Sequence, residues 1–481
     1  MGILVIDVGT SSVRAGIVEP DASVGHVQRI PLPPSIPFPG LFEFDPRALA
    51  EAVLQVARAA LEEAGGADAV GVTTQRASAV AWDRRDGRPL GPGLGWQDLR
   101  TVGTCLEKQA EGFRFTPSES ATKYAWLLDQ AEVSSAGRTA VGTVDSWVAW
   151  TLTGGATHIT DTSNAGVTGL YDLDTDGWDS AATAALGIDP ACLPSIGDSS
   201  GHLGEASALA RGLPLCALVG DQQASLIGQG CTRPGLAKAT FGTGGMLDVC
   251  LGDLRPARAT RGDSGCFPIA AWRRQGQITW GVEAMMLTAG SAVDWLVEDL
   301  GILSSAAESA EVAATCADSE GVVAVPALLG LATPQWDLGA RGALLGLTRG
   351  SGRAQIVRAV LEGVAHSGAD LLEAAEAESG HFVESLRVDG GMSANPVFVQ
   401  ALADACGRPV EVSPQLEATT LGAGFLAGLA TGAWADTDEV AAAWAPRQVV
   451  EPSGQPDQRE RWRRAVQKCM EWYPELTAIK F

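Results

Sequence analysis

Ile3-Leu4-Val5-Ile6-Asp7-Val8-Gly9-Thr10-Ser11-Ser12-Val13-Arg14-Ala15-Gly16-Ile17-Val18 sets two apolar, β-branched runs around a turn of small polar residues. Such residues favour the pleated surface of a sheet, so the segment reads as a strand–turn–strand hairpin with a carboxylate at its mouth. Gly9 lets the backbone approach a bound group closely, and Thr10, Ser11 and Ser12 offer hydroxyl and amide hydrogens able to wrap a phosphate. Asp7 stands where a strand delivers a carboxylate to a metal that phosphate oxygens can share. A second turn of the same design, Gly242-Thr243-Gly244-Gly245, lies within Leu236 to Leu251. One Gly-rich hairpin is most often an ordinary β-turn. Two copies, each opening one half of the chain, imply a duplicated phosphate clamp.

The 481 residues allow two or three domains and ample core. A net charge of −23 argues against a nucleic-acid partner, which would need clustered Lys and Arg. It leaves room for a nucleotide held by turn amides and Mg²⁺. Nine scattered Cys without a C-x-x-C pair argue against structural zinc and fit reduced thiols in the cytoplasm. No basic stretch precedes Ile3, so no signal peptide is expected. Ala418 to Ala435 is uncharged and near the length of a membrane span, but its four Gly and three Thr fit a close-packed helix better. No membrane partner is expected.

Asp45-Pro46 reads as an N-cap and first-turn Pro for a helix over Arg47 to Ala64. Ala69 to Thr74, Ala79 to Trp82 and Leu215 to Val219 read as strands. Ser120 to Glu132, Asp145 to Leu152 and the run from Gln222 toward Gly230 read as helices. In the second half, helices are expected over Glu283 to Leu300, Arg353 to Glu378, Asn395 to Cys406, from Thr420 onward and over Asp457 to Glu471. Strands are expected over Gly321 to Leu329, Leu386 to Asp389 and Val410 to Val412. The alternation makes the class α/β, dividing near Gly230 to Gly235.

Asp221 follows an apolar strand, the edge at which open α/β sheets place ligands. It could accept the proton of an attacking hydroxyl while Gln222 bonds a neighbouring one; an N-cap role is the alternative. Val388-Asp389-Gly390-Gly391 with Asn395 could admit a nucleoside against bare backbone, or be a plain tight turn. Arg76 and Trp96 sit in polar breaks after apolar runs, where a surface Arg and a half-buried Trp are the plainer readings.

The chain resembles the FGGY carbohydrate kinases, most of all their glycerol kinase branch. One family signature is met by Ser118, Ser120, Lys123, Tyr124, Trp126, Leu127, Asp129 and Gln130. Another is met by Gly342, Leu344, Gly346, Leu347, Gln355, Ile356, Ala359, Val360, Leu361 and Glu362. The resemblance implies two actin-like ATPase (ribonuclease H-like) domains around a central ligand cleft. They would span 1–232 and 233–445, with a helical tail over 446–481. It implies ATP and Mg²⁺ as cofactors and a small polyol or sugar as acceptor; a homodimer is a possible assembly. By motif, Asp7 would hold the metal. Thr10, Ser11, Ser12, Arg14, Gly242, Thr243 and Gly244 would line the phosphates, and Gly290, Gly391 and Asn395 the nucleoside. Asp221 would be the general base, and Arg76, Trp96 and Gln222 would touch the acceptor.

The pattern breaks in the acceptor pocket. Glycerol kinases carry Glu after the pocket Arg, where this chain has Ala77. Ser118 replaces their pocket Tyr, and Met246 their aromatic after the Gly-Thr-Gly turn. Losing a charge-assisted hydrogen bond costs about 1.5–3 kcal/mol, or ten- to a hundredfold in binding. The wider pocket points to a longer polyol or a ketose. A xylulose-, ribulose- or erythritol-type kinase and a non-catalytic nucleotide- or sugar-binding regulator stay as alternatives.

Overall fold

The computed structural model describes residues 2–131, 136–209, 212–258, 260–414, 417–454 and 458–479. Ile3–Val8 and Ser12–Val18 form the expected antiparallel hairpin, with Asp7 opposite Arg14. Val24–Pro31 extends it as a third strand. On the other side Ala69–Thr74 and then Leu213–Gly220 lie parallel. The second half repeats this plan. Ala237–Phe241 pairs antiparallel with Gly245–Gly252, which pairs with Gln277–Met286, and Leu386–Asp389 and Val410–Val412 follow in parallel on the far side. Each half is therefore an antiparallel meander extended by two parallel strands, the arrangement of the actin-like ATPase fold. Ser200–Ala206 meets Phe267–Arg274 at the seam, joining thirteen strands of the described residues into one sheet.

Side chains alternate faces along a strand. Leu4, Ile6 and Val8 enter the core beneath the helix Pro46–Ala64, together with Val53 and Val56. Ile3 and Val5 enter the opposite core with Phe425 and Leu426. Asp7 shares their face, which is the one turned toward the second half of the chain. The helix Pro46–Ala64 starts where expected, with Asp45 accepting from the Arg47 amide at 2.8 Å.

Two helices pack against each other between the halves: Asp221–Gly228 after the last parallel strand of the first, and Ala418–Thr431 after that of the second. Both carry Ala-x-x-x-Gly. A Cβ on Gly228 would strike the Ala418 carbonyl, and one on Gly422 the Ala224 carbonyl. The reciprocal contact gives the two halves a twofold-like junction of backbone against backbone. The uncharged stretch is thus a helix buried in protein, and among the described residues no helix is long and apolar enough to cross a membrane.

Three expectations are corrected. Glu283 to Leu300 is not one helix: Gln277–Met286 is a strand paired with Phe267–Arg274, and the helix is Gly290–Glu298. The β-rich run Ile278-Thr279-Trp280 continues through Glu283 because strands flank it on both sides. The expected strand over Gly321 to Leu329 is only Val323–Val325, with Pro326 following it. The segment expected as a helical tail also supplies the edge strand Gln448–Val450 besides the helix Arg459–Cys469. Glu132 and Asp457, expected as helix ends, lie outside the described residues.

Candidate active site

Leu213–Gly220 ends fully buried, and the helix Asp221–Gly228 begins at once. Asp221 is the first helical residue, not the cap; the cap position is Gly220 and has no side-chain bond. The Asp221 carboxylate accepts from the Gln222 backbone N–H at 2.8 Å and lies 3.4 Å from Arg76 Nε. A Cβ at Gly220 would stand 2.6 Å from Arg76 Cδ, so the glycine is what admits the Arg76 side chain. Arg76 Nη2 reaches across to Glu283 at 2.8 Å. Burial pushes the Asp221 carboxyl up from its ordinary value, against the pull of Arg76.

Glu283 belongs to a row. Lys238, Asp248 and Glu283 lie directly opposite one another across three neighbouring strands. Like charges side by side in a sheet are unfavourable, and a cation closes each end of the row: Lys238 pairs with Asp248 at 2.7 Å, and Arg76 with Glu283. Lys238 also donates to Gln222 Oε1 at 2.8 Å and Thr240 Oγ1 at 3.2 Å. Burial pushes the Asp248 carboxyl up, against the pull of Lys238. Met246 sits opposite Thr240, two residues from Asp248 and on the same face.

A second buried lysine organises the other wall. Lys123, fully buried, donates to the carbonyls of Ala77 at 3.1 Å, Trp96 at 3.3 Å and Ser118 at 3.3 Å. Burial lowers its ammonium to about 7. One side chain thus gathers three of the residues expected in the acceptor pocket. Ala77 has φ +58°, a left-handed conformation costly for a residue with a Cβ. Ser118 is exposed, its hydroxyl 2.8 Å from Thr116 Oγ1.

At the first turn, Gly9 N donates to Ser12 O at 3.0 Å, and Trp96 Nε1 donates to Thr10 Oγ1 at 3.2 Å. Arg14 bridges Asp7 at 2.6 Å and Glu417 at 2.8 Å, tying the hairpin to the second half. Asp7 is almost fully buried, which pushes its carboxyl up to about 6 despite Arg14. At the second turn, Gly290 N donates to Gly242 O at 2.8 Å, and both Ser291 N and Oγ donate to Thr243 O. A Cβ on Gly290 would lie 2.7 Å from the Gly242 carbonyl, and one on Gly244 2.8 Å from that of Met286. Gly391 opens on empty space, while Gly390 packs on the Phe241 backbone. Asn395 caps the helix Pro396–Cys406, accepting from Val397 N and Phe398 N, and donates to Ser309.

The expected residues therefore fall into two neighbouring groups: Asp7, Thr10, Ser11, Ser12, Arg14, Arg76, Ala77, Trp96, Ser118, Asp221, Gln222 and Met246 around the seam, and Gly242, Thr243, Gly244, Gly290, Gly391 and Asn395 on the second half. Sequence reading met Lys123 only as part of a family signature, and missed Lys238, Asp248, Glu283 and Glu417. The signal for three of them was an ionisable residue inside an otherwise apolar strand, which is buried only when paired.

Comparison with known proteins agrees with this geometry. The FGGY family of carbohydrate kinases matches with its N-terminal domain over residues 2–228 and its C-terminal domain over 237–431. The chain belongs to that family, and so is a phosphotransferase with an alcohol group as acceptor. It is 40% identical over 494 residues to a glycerol kinase of Aromatoleum aromaticum, covering 98% of this chain and 99% of that one. It is 41% identical over 495 residues to a glycerol kinase of Dechloromonas aromatica, covering 98% of each. The crystal structure of Plasmodium falciparum glycerol kinase with ADP superposes with a TM-score of 0.89 at 26% identity, over 100% of this chain and 99% of that one.

Proposed function

We propose that the chain passes the γ-phosphoryl group of Mg²⁺-bound ATP to a hydroxyl of a small polyol, with Asp221 as general base and an acceptor longer than glycerol. The observation that carries this is Asp221 itself: a carboxylate at a strand end, held by Arg76, on the seam between two phosphate-type turns. Arg76, Gln222 and Trp96 bind and orient the acceptor, with Ala77, Ser118 and Met246 setting the pocket's width. Thr10, Ser11, Ser12 and Arg14 face the phosphates from one half, and Gly242, Thr243 and Gly244 from the other. Gly290, Gly391 and Asn395 border the nucleoside. Because the Asn395 side chain is committed to its cap, it would do so through its place at the helix start.

Mg²⁺ commonly takes one or two carboxylates with phosphate oxygens and water. A buried Asp7 carboxylate beside a phosphate turn suits that donor set. Bound there, the ion would offset charge on the phosphates. Phosphoryl transfer runs through a loose transition state, so positioning and charge stabilisation carry most of the catalysis. Asp221 need not be strongly basic, since the hydroxyl loses its proton late. Thiols at Cys105, Cys216, Cys231, Cys250 and Cys266, buried and outside any disulfide, support a cytoplasmic setting.

The relatives' names favour glycerol itself. An ADP-release assay over C3 to C7 polyols and ketoses decides between the two acceptors. We expect a C4 or C5 polyol to exceed glycerol in kcat/KM, and Ala77→Glu to lower the glycerol KM about tenfold. Glycerol as the best substrate of the unaltered chain would remove the longer acceptor. No turnover with any acceptor would remove the kinase reading of this site.

A further inference from the structure

Within the acceptor wall, five charged side chains and one amide form a closed circuit through both halves of the molecule. Lys238 touches Asp248, Asp248 stands opposite Glu283, Glu283 pairs with Arg76, Arg76 with Asp221, and Gln222, next to Asp221, returns to Lys238. Lys238 and Asp248 are wholly buried and Glu283 nearly so. An ammonium has only donors, so the sole atom of the Gln222 amide that Lys238 can bond is Oε1. The amide is thereby denied its flipped orientation, and its NH₂ is left for whatever fills the pocket.

We propose that Lys238 and Asp248 are positioning residues for the acceptor: Lys238 fixes Gln222 as a hydrogen-bond donor, and Asp248 holds Lys238 in place. The inference rests on Gln222 facing the acceptor, as in the function proposed above. It adds a direction to that contact. Arg76 and Gln222 both donate, and Asp221 accepts. The pocket then suits a vicinal diol in which one hydroxyl gives its proton to Asp221 while the neighbouring oxygen accepts from Gln222 and Arg76. It also explains how residues of the nucleotide-side half set acceptor recognition. The sheet row is buried, and it reaches the first half through Gln222 and Arg76.

A double-mutant cycle on the full chain tests this, with glycerol and ribitol as acceptors. Lys238→Met is expected to raise the acceptor KM about tenfold, with the ATP KM changed less than twofold. In a Gln222→Ala background the same change is expected to move the acceptor KM less than twofold, because Lys238 acts through Gln222. Asp248→Asn, which keeps Lys238 but loosens it, is the second variant should Lys238→Met not fold; about threefold is expected, again vanishing with Gln222→Ala. Additive effects, or an equal loss for ATP, would overturn the proposal. If the unaltered chain turns over neither, the best acceptor of the C3 to C7 polyol and ketose series takes their place, and no turnover with any of that series fails the kinase reading separately. The positioning claim is then decided by the Gln222 side-chain amide resonance in ¹⁵N-glutamine-labelled protein. A clear shift in Lys238→Met supports it, and an unmoved signal overturns it.

Discussion

At the scale of single residues, the site is defined by carboxylates that burial and a guanidinium hold in opposition. Asp221 is pushed up by burial and pulled down by Arg76, burial being the larger effect. Asp221→Asn is expected to lower kcat by about 10²–10⁴-fold, the usual contribution of general-base catalysis, with the acceptor KM nearly unchanged. A normal kcat in that variant would remove the assigned base. Asp7, with a carboxyl at about 6 in the ligand-free protein, gives a pH dependence of definite sign. Its ionised form is the one that serves a metal, and a raised value means that form is lost earlier as pH falls. The kcat/KM for ATP should therefore fall below about pH 6, well above the ordinary carboxylate value. A profile flat to pH 5 would contradict the burial of Asp7. Thr10 and Asp221 stand out in the sequence because each follows an apolar strand at a turn, and Asp7 because it is the one charge in such a strand, patterns carried by neighbours in the chain. Lys238, Asp248 and Glu283 were not, since what makes them a unit is cross-strand register among residues far apart in sequence.

At the scale of elements, the two hairpins and most helix ends followed from local chemistry. Asp45 before Pro46, and Gly65 at φ 78° after Ala64, are start and stop signals readable on sight. The run through Glu283 is ambiguous in sequence because its periodicity is short, and only the partner strands Gly245–Gly252 and Phe267–Arg274 settle it. The Ala-x-x-x-Gly pair on Asp221–Gly228 and Ala418–Thr431 shows the same limit. The small residues were visible, but not that each glycine faces the other helix's backbone. Gly422→Ala would force a Cβ into the Ala224 carbonyl. Overpacking of this kind costs about 1–3 kcal/mol, so a lowered Tm is expected. An unchanged melting curve would mean the helices can separate freely.

At the scale of the whole molecule, the residues proposed for the phosphates come from both halves of one sheet, as do those proposed for the acceptor. The ion pairs of Arg14 with Glu417 and of Arg76 with Glu283 cross the seam between them. Ligands that touch both sides should act as additional ties. Saturation with Mg²⁺ and ATP at a hundred times the dissociation constant should add about 2.7 kcal/mol to stability. A polyol acceptor should add a further increment, read as successive rises in Tm. An acceptor that raises Tm with no nucleotide effect would argue against a shared cleft.

The sequence by itself determined the duplicated α/β plan, the phosphate-type turns, the base candidate and the family. Each of these is written in short stretches whose meaning depends on immediate neighbours: an alternating strand, a small-residue turn, an acid at a strand end. Only the tertiary structure decided how the wall proposed for the acceptor is built. It showed Lys123 drawing together the Ala77, Trp96 and Ser118 carbonyls, and a buried charge row reaching across the seam to Arg76 and Gln222. The physical reason is that a buried charge is tolerated only beside its partners. Those partners are chosen by strand register and by the docking of the two halves, neither of which any local stretch of sequence contains.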